Sequence, residues 1–226
     1  MRIILIGPPA SGKGTQAELL AKKLKLPLIS TGNFFRWQIK KNTSLGKKIK
    51  KIVERGKLVP DQITNKIIEK EIKSKKKFIL DGYPRNLNQA NYLKSLTDID
   101  IVFEIWISKK EILKRLTGRR VCSCGATYHL IYAPPKNDEI CDKCGRKLFI
   151  REDDKKTNVL KRISIYQKET KPLIDFYRKE KKLIKINGQQ PILKVFKDII
   201  EKLKNYDYSQ NKRRNRKNAK RWKNFG

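Results

Sequence analysis

The chain has 226 residues, 38% of them hydrophobic, a length and composition that suit one domain with insertions around a buried core. No apolar run approaches the roughly 20 residues that span a bilayer, and the apolar start at 2–6 is too short for a secretory signal, so a cytoplasmic location is expected. Lys and Arg number 56 against 22 Asp and Glu, a net charge of +34 that draws polyanions of every kind and by itself selects none.

The run "RIILI" (2–6) ends at glycine, as a buried parallel strand does. "GPPASGKGT" (7–15) follows, and residues 14–24 carry apolar side chains at 17, 19, 20 and 24, an amphipathic helix. Strand, glycine loop and helix are the setting of a phosphate-binding loop. Gly7, Gly12 and Gly14 permit a tight turn with its N–H groups facing inward, and the helix begins at its positive end. Lys13 is placed to reach terminal phosphates as a point charge. The common pattern has Ser or Thr directly after the lysine; here Gly14 stands there and Thr15 follows one residue late.

A second short run, "LPLIS" (26–30), precedes helical patterns over roughly 32–73, broken near 43–45 and at 56–61, where Pro60 can open the next helix. "KFILDGYPR" (77–85) predicts a strand closing on Asp81. A strand-end aspartate there suits Mg²⁺, directly or through water, and is equally a common cap or turn former. A strand over 101–108, a helix over 110–120, a helical stretch over 158–182 with a proline at 172, a fifth strand over 183–187 and a closing helix over 192–204 complete the pattern. This alternation implies an α/β fold, a five-stranded parallel sheet covered by helices on both faces. Two stretches interrupt it, near 30–60 and 120–153.

The second interruption holds all four cysteines, as the pairs Cys122/Cys124 and Cys141/Cys144. In a reducing compartment, paired cysteines argue for a metal before disulfides. The second pair has the C-x₂-C spacing of a zinc knuckle, whereas the first is C-x-C, one residue short. Two readings stay open, a closed structural Zn²⁺ site and a reduced, metal-free loop. His129 is a further candidate ligand, with a structural role as its alternative.

At this point the residues resemble the adenylate kinase family, specifically its bacterial long-lid type with a zinc-binding lid. The likeness rests on the opening 24 residues, where Gly-Lys-Gly-Thr is that family's own form of the loop. It continues through "LISTGNFFR" (28–36), "GKLVPD" (56–61), "ILDGYPRNLNQA" (79–90), "RLTGRRVC" (115–122), "TYHLIYAPPK" (127–136), "IREDD" (150–154), "NVLKRISIY" (158–166) and "KING" (185–188). The resemblance implies a P-loop core (1–29, 60–118 and 155–204), an inserted helical monophosphate-binding lobe (30–59) and a small β-rich lid (119–154). It implies the reaction ATP + AMP ⇌ 2 ADP, in adenine nucleotide homeostasis, with Mg²⁺ and with lid closure, carried out by a monomer.

The site residues are likewise what the resemblance implies. Ala10, Ser11, Gly12, Lys13, Gly14 and Thr15 would hold ATP phosphates, and Arg119, Thr127, Tyr128 and the Gln190 backbone would contact ATP, with Arg115 near its base. Thr31, Arg36, Lys57, Leu58 and Val59 would form the AMP site with Gly82, Tyr83, Pro84, Arg85 and Gln89, and Gln89 would read the adenine. Arg151 and Arg162 would close over the phosphates being exchanged. Lys13, Arg85, Arg119, Arg151 and Arg162 are the expected catalytic set, Asp81 the expected Mg²⁺ carboxylate, and Cys122, Cys124, Cys141 and Cys144 the expected Zn²⁺ ligands. The chemistry agrees: the attacking phosphate oxygen is already anionic, so catalysis needs positioning and charge neutralisation, which forked guanidinium groups serve well. Asn33 departs from the aspartate usual in "STGD", which removes a negative charge near the nucleotide site, with a modest effect on Mg²⁺ or AMP handling expected.

The tail, 205–226, has eight Lys/Arg against one Asp, with Trp222 and Phe225. It is either a solvated extension or a surface for RNA, through phosphate contacts and stacking. Two rival functions remain at this stage. One is a kinase for another monophosphate such as UMP or CMP; the other is a basic RNA- or ribosome-associated protein on the same fold.

Overall fold

The computed structural model describes residues 1–206, apart from the side chains of residues 156 and 157. In chain order the elements begin with β1 (Arg2–Ile6), α1 (Lys13–Leu24), β2 (Leu28–Ser30), α2 (Thr31–Lys40), α3 (Ser44–Glu54), α4 (Asp61–Ile72) and β3 (Phe78–Asp81). They continue with α5 (Leu87–Leu96), β4 (Ile101–Trp106), α6 (Lys109–Gly118), β5 (Arg119–Val121), β6 (Thr127–His129), α7 (Lys156–Ile165), α8 (Pro172–Lys179) and β7 (Leu183–Asn187). Residues 192–206 form a last helix, α9. Among the described residues no helix is long and apolar enough to cross a membrane.

The apolar runs become one parallel sheet in the order β2-β3-β1-β4-β7. Successive strand residues point to opposite faces, and the core divides accordingly. Ile4, Ile6, Phe78, Leu80 and Val102 pack with Leu93, Leu173 and Tyr177 on one face. Ile3, Leu5, Ile79, Phe103 and Ile105 pack with Ala17, Leu20 and Ile199 on the other. The register sets Leu5 and Ser30 opposite Asp81, so the glycine loop, the start of α2 and the "DGYPR" turn leave the sheet at one carboxyl edge. Ligands bind at that edge in open α/β sheets.

Two small units stand off the sheet. α2 and α3 bury Phe35 and Ile49 with Val59 in a cluster that Ile63 and Ile67 of α4 also pack against, with Thr43 capping α3 through a 2.9 Å bond from Gly46 N–H. β5 and β6 form an antiparallel ribbon over a cluster of Cys122, Ala126, Cys141 and Leu148.

Several expected boundaries shift. The strand expected over 26–30 begins only at Leu28, because α1 runs into a left-handed cap at Lys25. The strand over 101–108 stops at Trp106, since Ser108 caps α6 by accepting from Glu111 N–H. The helix expected to reach 120 ends at Gly118, and Arg119 lies on the ribbon strand β5. The helical stretch over 158–182 starts two residues earlier, and residues Tyr166–Thr170 widen into a π turn just ahead of Pro172. Pro172 has no N–H to continue the regular ladder. α5 is an element that the apolar pattern did not single out.

Candidate active site

The loop after β1 turns back on itself because its residues can. A Cβ on Gly7 would lie 2.5 Å from the Ile105 carbonyl oxygen, so no larger residue fits there. Gly12 caps α1 at φ +89, a conformation that favours glycine. The first bond of this helix runs from Gln16 N–H to the Gly12 carbonyl, which leaves the amides ahead of it facing the loop without helical partners. The first turn of α1 carries no acidic residue to compete for them. Ser11 Oγ is buried without a hydrogen-bond partner.

Lys13 Nζ donates to the Pro8 carbonyl at 3.2 Å. Burial lowers its pKa from the ordinary lysine value to about 7; Asp81 opposes that shift, and the Arg85, Arg162 and Arg119 cations add to it. Asp81 accepts from Ser30 Oγ at 2.9 Å through one oxygen, while the other, Oδ1, is buried without a partner. That orphaned carboxylate oxygen fits a bound cation or its water.

A layer of guanidinium groups surrounds the lysine. Burial pushes Arg36 down to about 10 and Arg151 down to about 9, and lowers Arg85 as well; neighbouring guanidiniums contribute to each shift. Asp154 partly offsets this crowding. It is fully buried, accepts from both Arg119 and Arg162, and has its carboxyl held below the usual range against the cost of burial. Arg162 also pairs with Asp153 at 3.0 Å. An anionic ligand is what such an assembly of cations lacks.

Two recesses open on either side of the loop. The larger is about 630 Å³. Ala10, Ser11, Gly12 and Thr15 line its floor, and Arg119, Thr127, Tyr128 and Gln190 line its walls. Arg115 lines it too, bonded to Glu111 at 2.7 Å and to the Gly188 carbonyl at 2.8 Å, with its guanidinium 5.0 Å from the Tyr132 ring centre. The Tyr128 hydroxyl is committed elsewhere: it meets Cys141 Sγ at 3.5 Å and accepts from Asp142 N–H at 2.9 Å. Gln16, Glu111 and Tyr132 line this recess and were not singled out; Gln16 and Tyr132 lie within the quoted stretches 1–24 and 127–136, and Glu111 lies in none.

The smaller recess consists of two adjoining pockets of about 70 Å³ each. Thr31, Arg36, Lys57, Leu58, Val59 and Gln89 line one of them. Lys13 and Pro84 line the other, and Gly82, Arg85 and Arg162 are common to both. Thr31 Oγ1 and Arg85 Nε both donate to the Gly82 carbonyl, at 2.8 and 2.9 Å. Arg36 donates to Asn33 Oδ1 at 2.6 Å, a neutral partner that leaves the Arg36 charge free for a ligand. Tyr83 is different. Its side chain is fully buried in the core, its hydroxyl lies 2.8 Å from Asn65 Oδ1 and 3.2 Å from the Gln89 carbonyl, and it lines neither pocket. Gly14 sits at the start of α1, where an added Cβ would lie 3.5 Å from Asp81 Oδ2. Arg151 stands within charge range of Arg119 and Arg36 without lining either recess.

The four cysteine sulfurs converge despite the short first pair, all lying within 4.8 Å of one another. Cys122 and Cys144 approach to 3.4 Å, Cys124 and Cys141 to 3.6 Å. A tetrahedral zinc with sulfur ligands at about 2.3 Å sets its sulfurs roughly 3.8 Å apart, so the donor set fits. His129 stays outside the cluster; its Nδ1 accepts from the N–H groups of Ile131 and Tyr132, a turn-stabilising role.

The family model described as adenylate kinase matches residues 5–182. An adenylate kinase of Caldanaerobacter subterraneus subsp. tengcongensis is 48% identical over 212 residues, covering 90% of this chain and 96% of that protein. One from Listeria monocytogenes is 47% identical over 208 residues, covering 88% and 97%. One from Archaeoglobus fulgidus is 44% identical over 216 residues, covering 90% and 100%.

Proposed function

The chain belongs to the adenylate kinase family, and from that premise we propose how its residues carry out the reversible transfer ATP + AMP ⇌ 2 ADP. The observation that carries the reading is the glycine loop bordering both recesses, with Lys13, Arg85 and Arg162 around the smaller one. ATP enters the 630 Å³ recess with its phosphates on residues 10–15, and AMP enters the smaller one beneath Arg36. The attacking AMP oxygen is anionic already, so no residue has to remove a proton. Lys13, Arg85, Arg119, Arg151 and Arg162 hold the two phosphates in line and neutralise the charge that spreads over the transferring group.

Asp81, with its unpartnered Oδ1, would hold Mg²⁺ through water. That ion would supply further charge neutralisation on the ATP phosphates. Cys122, Cys124, Cys141 and Cys144 would hold a structural Zn²⁺ that stabilises a unit with too little core to fold alone. In this reading 1–29, 60–118 and 155–204 form the core, 30–59 the AMP lobe and 119–154 a lid that excludes water from the phosphates. A monomer suffices, because one chain supplies both recesses, and the cytoplasm, where both nucleotides are found, is the proposed location. The proposed RNA contact of the basic tail falls on residues almost wholly outside those described; unchanged RNA affinity and salt dependence after deleting 205–226 would end it.

The test offers AMP, UMP and CMP separately with Mg-ATP and follows diphosphate formation. ADP from AMP at rates far above the pyrimidine products is expected. A protein that binds ATP and forms no ADP from added AMP overturns the reading.

A further inference from the structure

Gln89 lines the smaller recess, yet it is only 2% exposed, and both ends of its side chain are already engaged by protein groups. Its Nε2 donates to Asp61 Oδ1 at 2.7 Å, and its Oε1 accepts from the Arg85 N–H at 2.8 Å. Asp61 lies behind it at the start of α4, outside the recess lining, where Asn86 Nδ2 also donates to both carboxylate oxygens at 3.1 Å. The Arg85 backbone is fixed in turn, since its carbonyl accepts from Thr170 Oγ1 at 2.7 Å. The Gln89 backbone is fixed at both ends, by the Asn86 cap on its N–H and the Tyr83 hydroxyl on its carbonyl.

A carboxamide oxygen accepts two hydrogen bonds and its nitrogen donates two. Gln89 therefore retains one acceptor position and one donor hydrogen, in a fixed left-right order. Turning the amide over would set Oε1 against an anionic oxygen and the NH₂ against the Arg85 N–H, so both contacts would become repulsive. We propose that Asp61 is a positioning residue that locks the Gln89 carboxamide in one orientation and thereby sets the acceptor pocket for 6-aminopurine over 6-oxopurine monophosphates. Adenine offers an amino donor beside a ring-nitrogen acceptor, the pair that Oε1 and Nε2 satisfy together. A 6-oxopurine presents a carbonyl acceptor beside an N–H donor, the reverse order, and would pair only with the flipped amide. A lock that costs two hydrogen bonds to undo therefore excludes it.

This inference rests on Gln89 reading the base, and the experiment separates the two ideas. The ratio of kcat/KM for AMP to that for inosine monophosphate is measured in the native protein, in Asp61→Asn and in Gln89→Leu, with KM for ATP as the control. An asparagine at 61 can accept or donate toward Gln89, so with almost no change of shape it weakens the preference at Nε2 and leaves the Arg85 N–H as the remaining hold on Oε1. The AMP preference is expected to fall by at least about tenfold in both variants. In Asp61→Asn the change should appear as a higher KM for AMP and a lower one for inosine monophosphate, with KM for ATP unmoved. A ratio unchanged in Gln89→Leu overturns the reading of Gln89 and the lock with it. A ratio that collapses in Gln89→Leu and stands in Asp61→Asn overturns the lock alone. Asp61→Ser, measured the same way and judged by the same outcomes, replaces the asparagine variant if that one fails to fold.

Discussion

The recess proposed for ATP is about 630 Å³, and its far wall is the ribbon that carries the cysteines. The one proposed for AMP is two pockets of about 70 Å³, walled by α2, the turn before α4 and the "DGYPR" turn. On the ATP side an aromatic ring, Tyr132, lies against Arg115 and Lys114, at 5.0 and 5.4 Å from its centre. Every base has a face that such a surface can stack on. On the AMP side the base would, as proposed, meet an amide whose bonding order is already set by Asp61 and the Arg85 N–H. On the proposed reading, the difference would make the protein tolerant toward its donor and strict toward its acceptor, according to whether a base is met by its face or by its edge.

The most severe way to break this contrast is Lys13→Ala, because the glycine loop borders both sides. A fall of about 10³-fold or more in kcat/KM is expected for either varied nucleotide in a coupled ADP assay. A loss below about tenfold would mean that the loop does not serve the transfer. Next in size is a paired exchange of bases. Replacing AMP by GMP should cost about a hundredfold in kcat/KM, and replacing ATP by GTP less than about tenfold. Equal penalties would erase the distinction.

A pH series sharpens it further. The empty-site pKa of Lys13 is about 7, and the ATP phosphates favour the charged ammonium, so ATP binding takes up a proton in the range from about pH 7 up to the ordinary lysine value. ATP affinity should therefore weaken as pH rises, by up to about tenfold between pH 7 and 8.5. Binding heats measured in buffers of different ionisation heat would show that uptake; affinity that rose with pH would contradict the sign. The smallest effect concerns the ribbon. Cys141→Ser should abolish one bound zinc per chain by metal analysis, lower the melting temperature by about 5 °C, and raise KM for ATP severalfold with KM for AMP nearly constant. Equal changes in the two constants would place the ribbon on both sides.

Most of the scaffold could be read from residue order: the buried apolar run "RIILI" matches β1 and the edge strand "LIKIN", with Lys185 and Asn187 exposed, matches β7 residue for residue. The glycine loop was legible because its dihedrals and its cation leave a local signature. What stayed hidden was long-range. The Asp61–Gln89 pair is 28 residues apart and the Arg119–Asp154 pair 35, and no period in the sequence reports either. α6 was read too long because nothing local after Gly118 distinguishes a helix end from a turn into the ribbon; the pairing of Arg119 with His129 decides it. Tyr83 was grouped with the ligand contacts because it sits inside a motif, and only the packing turns it toward the core.

Lys40, at the end of α2, donates to the carbonyl of Ser123 in the cysteine loop at 2.6 Å. If each arm closes over its own nucleotide, as proposed, a bond strung between the two would form only while both are folded inward, and whichever nucleotide draws its arm in would also shorten the search for the other. An exposed bond of this kind contributes about 1 kcal/mol, and thermodynamic reciprocity then lets each substrate tighten the other by no more than about fivefold. On that reading the same tether would act on the two ADP molecules after transfer, and would slow the departure of the products it helped to assemble.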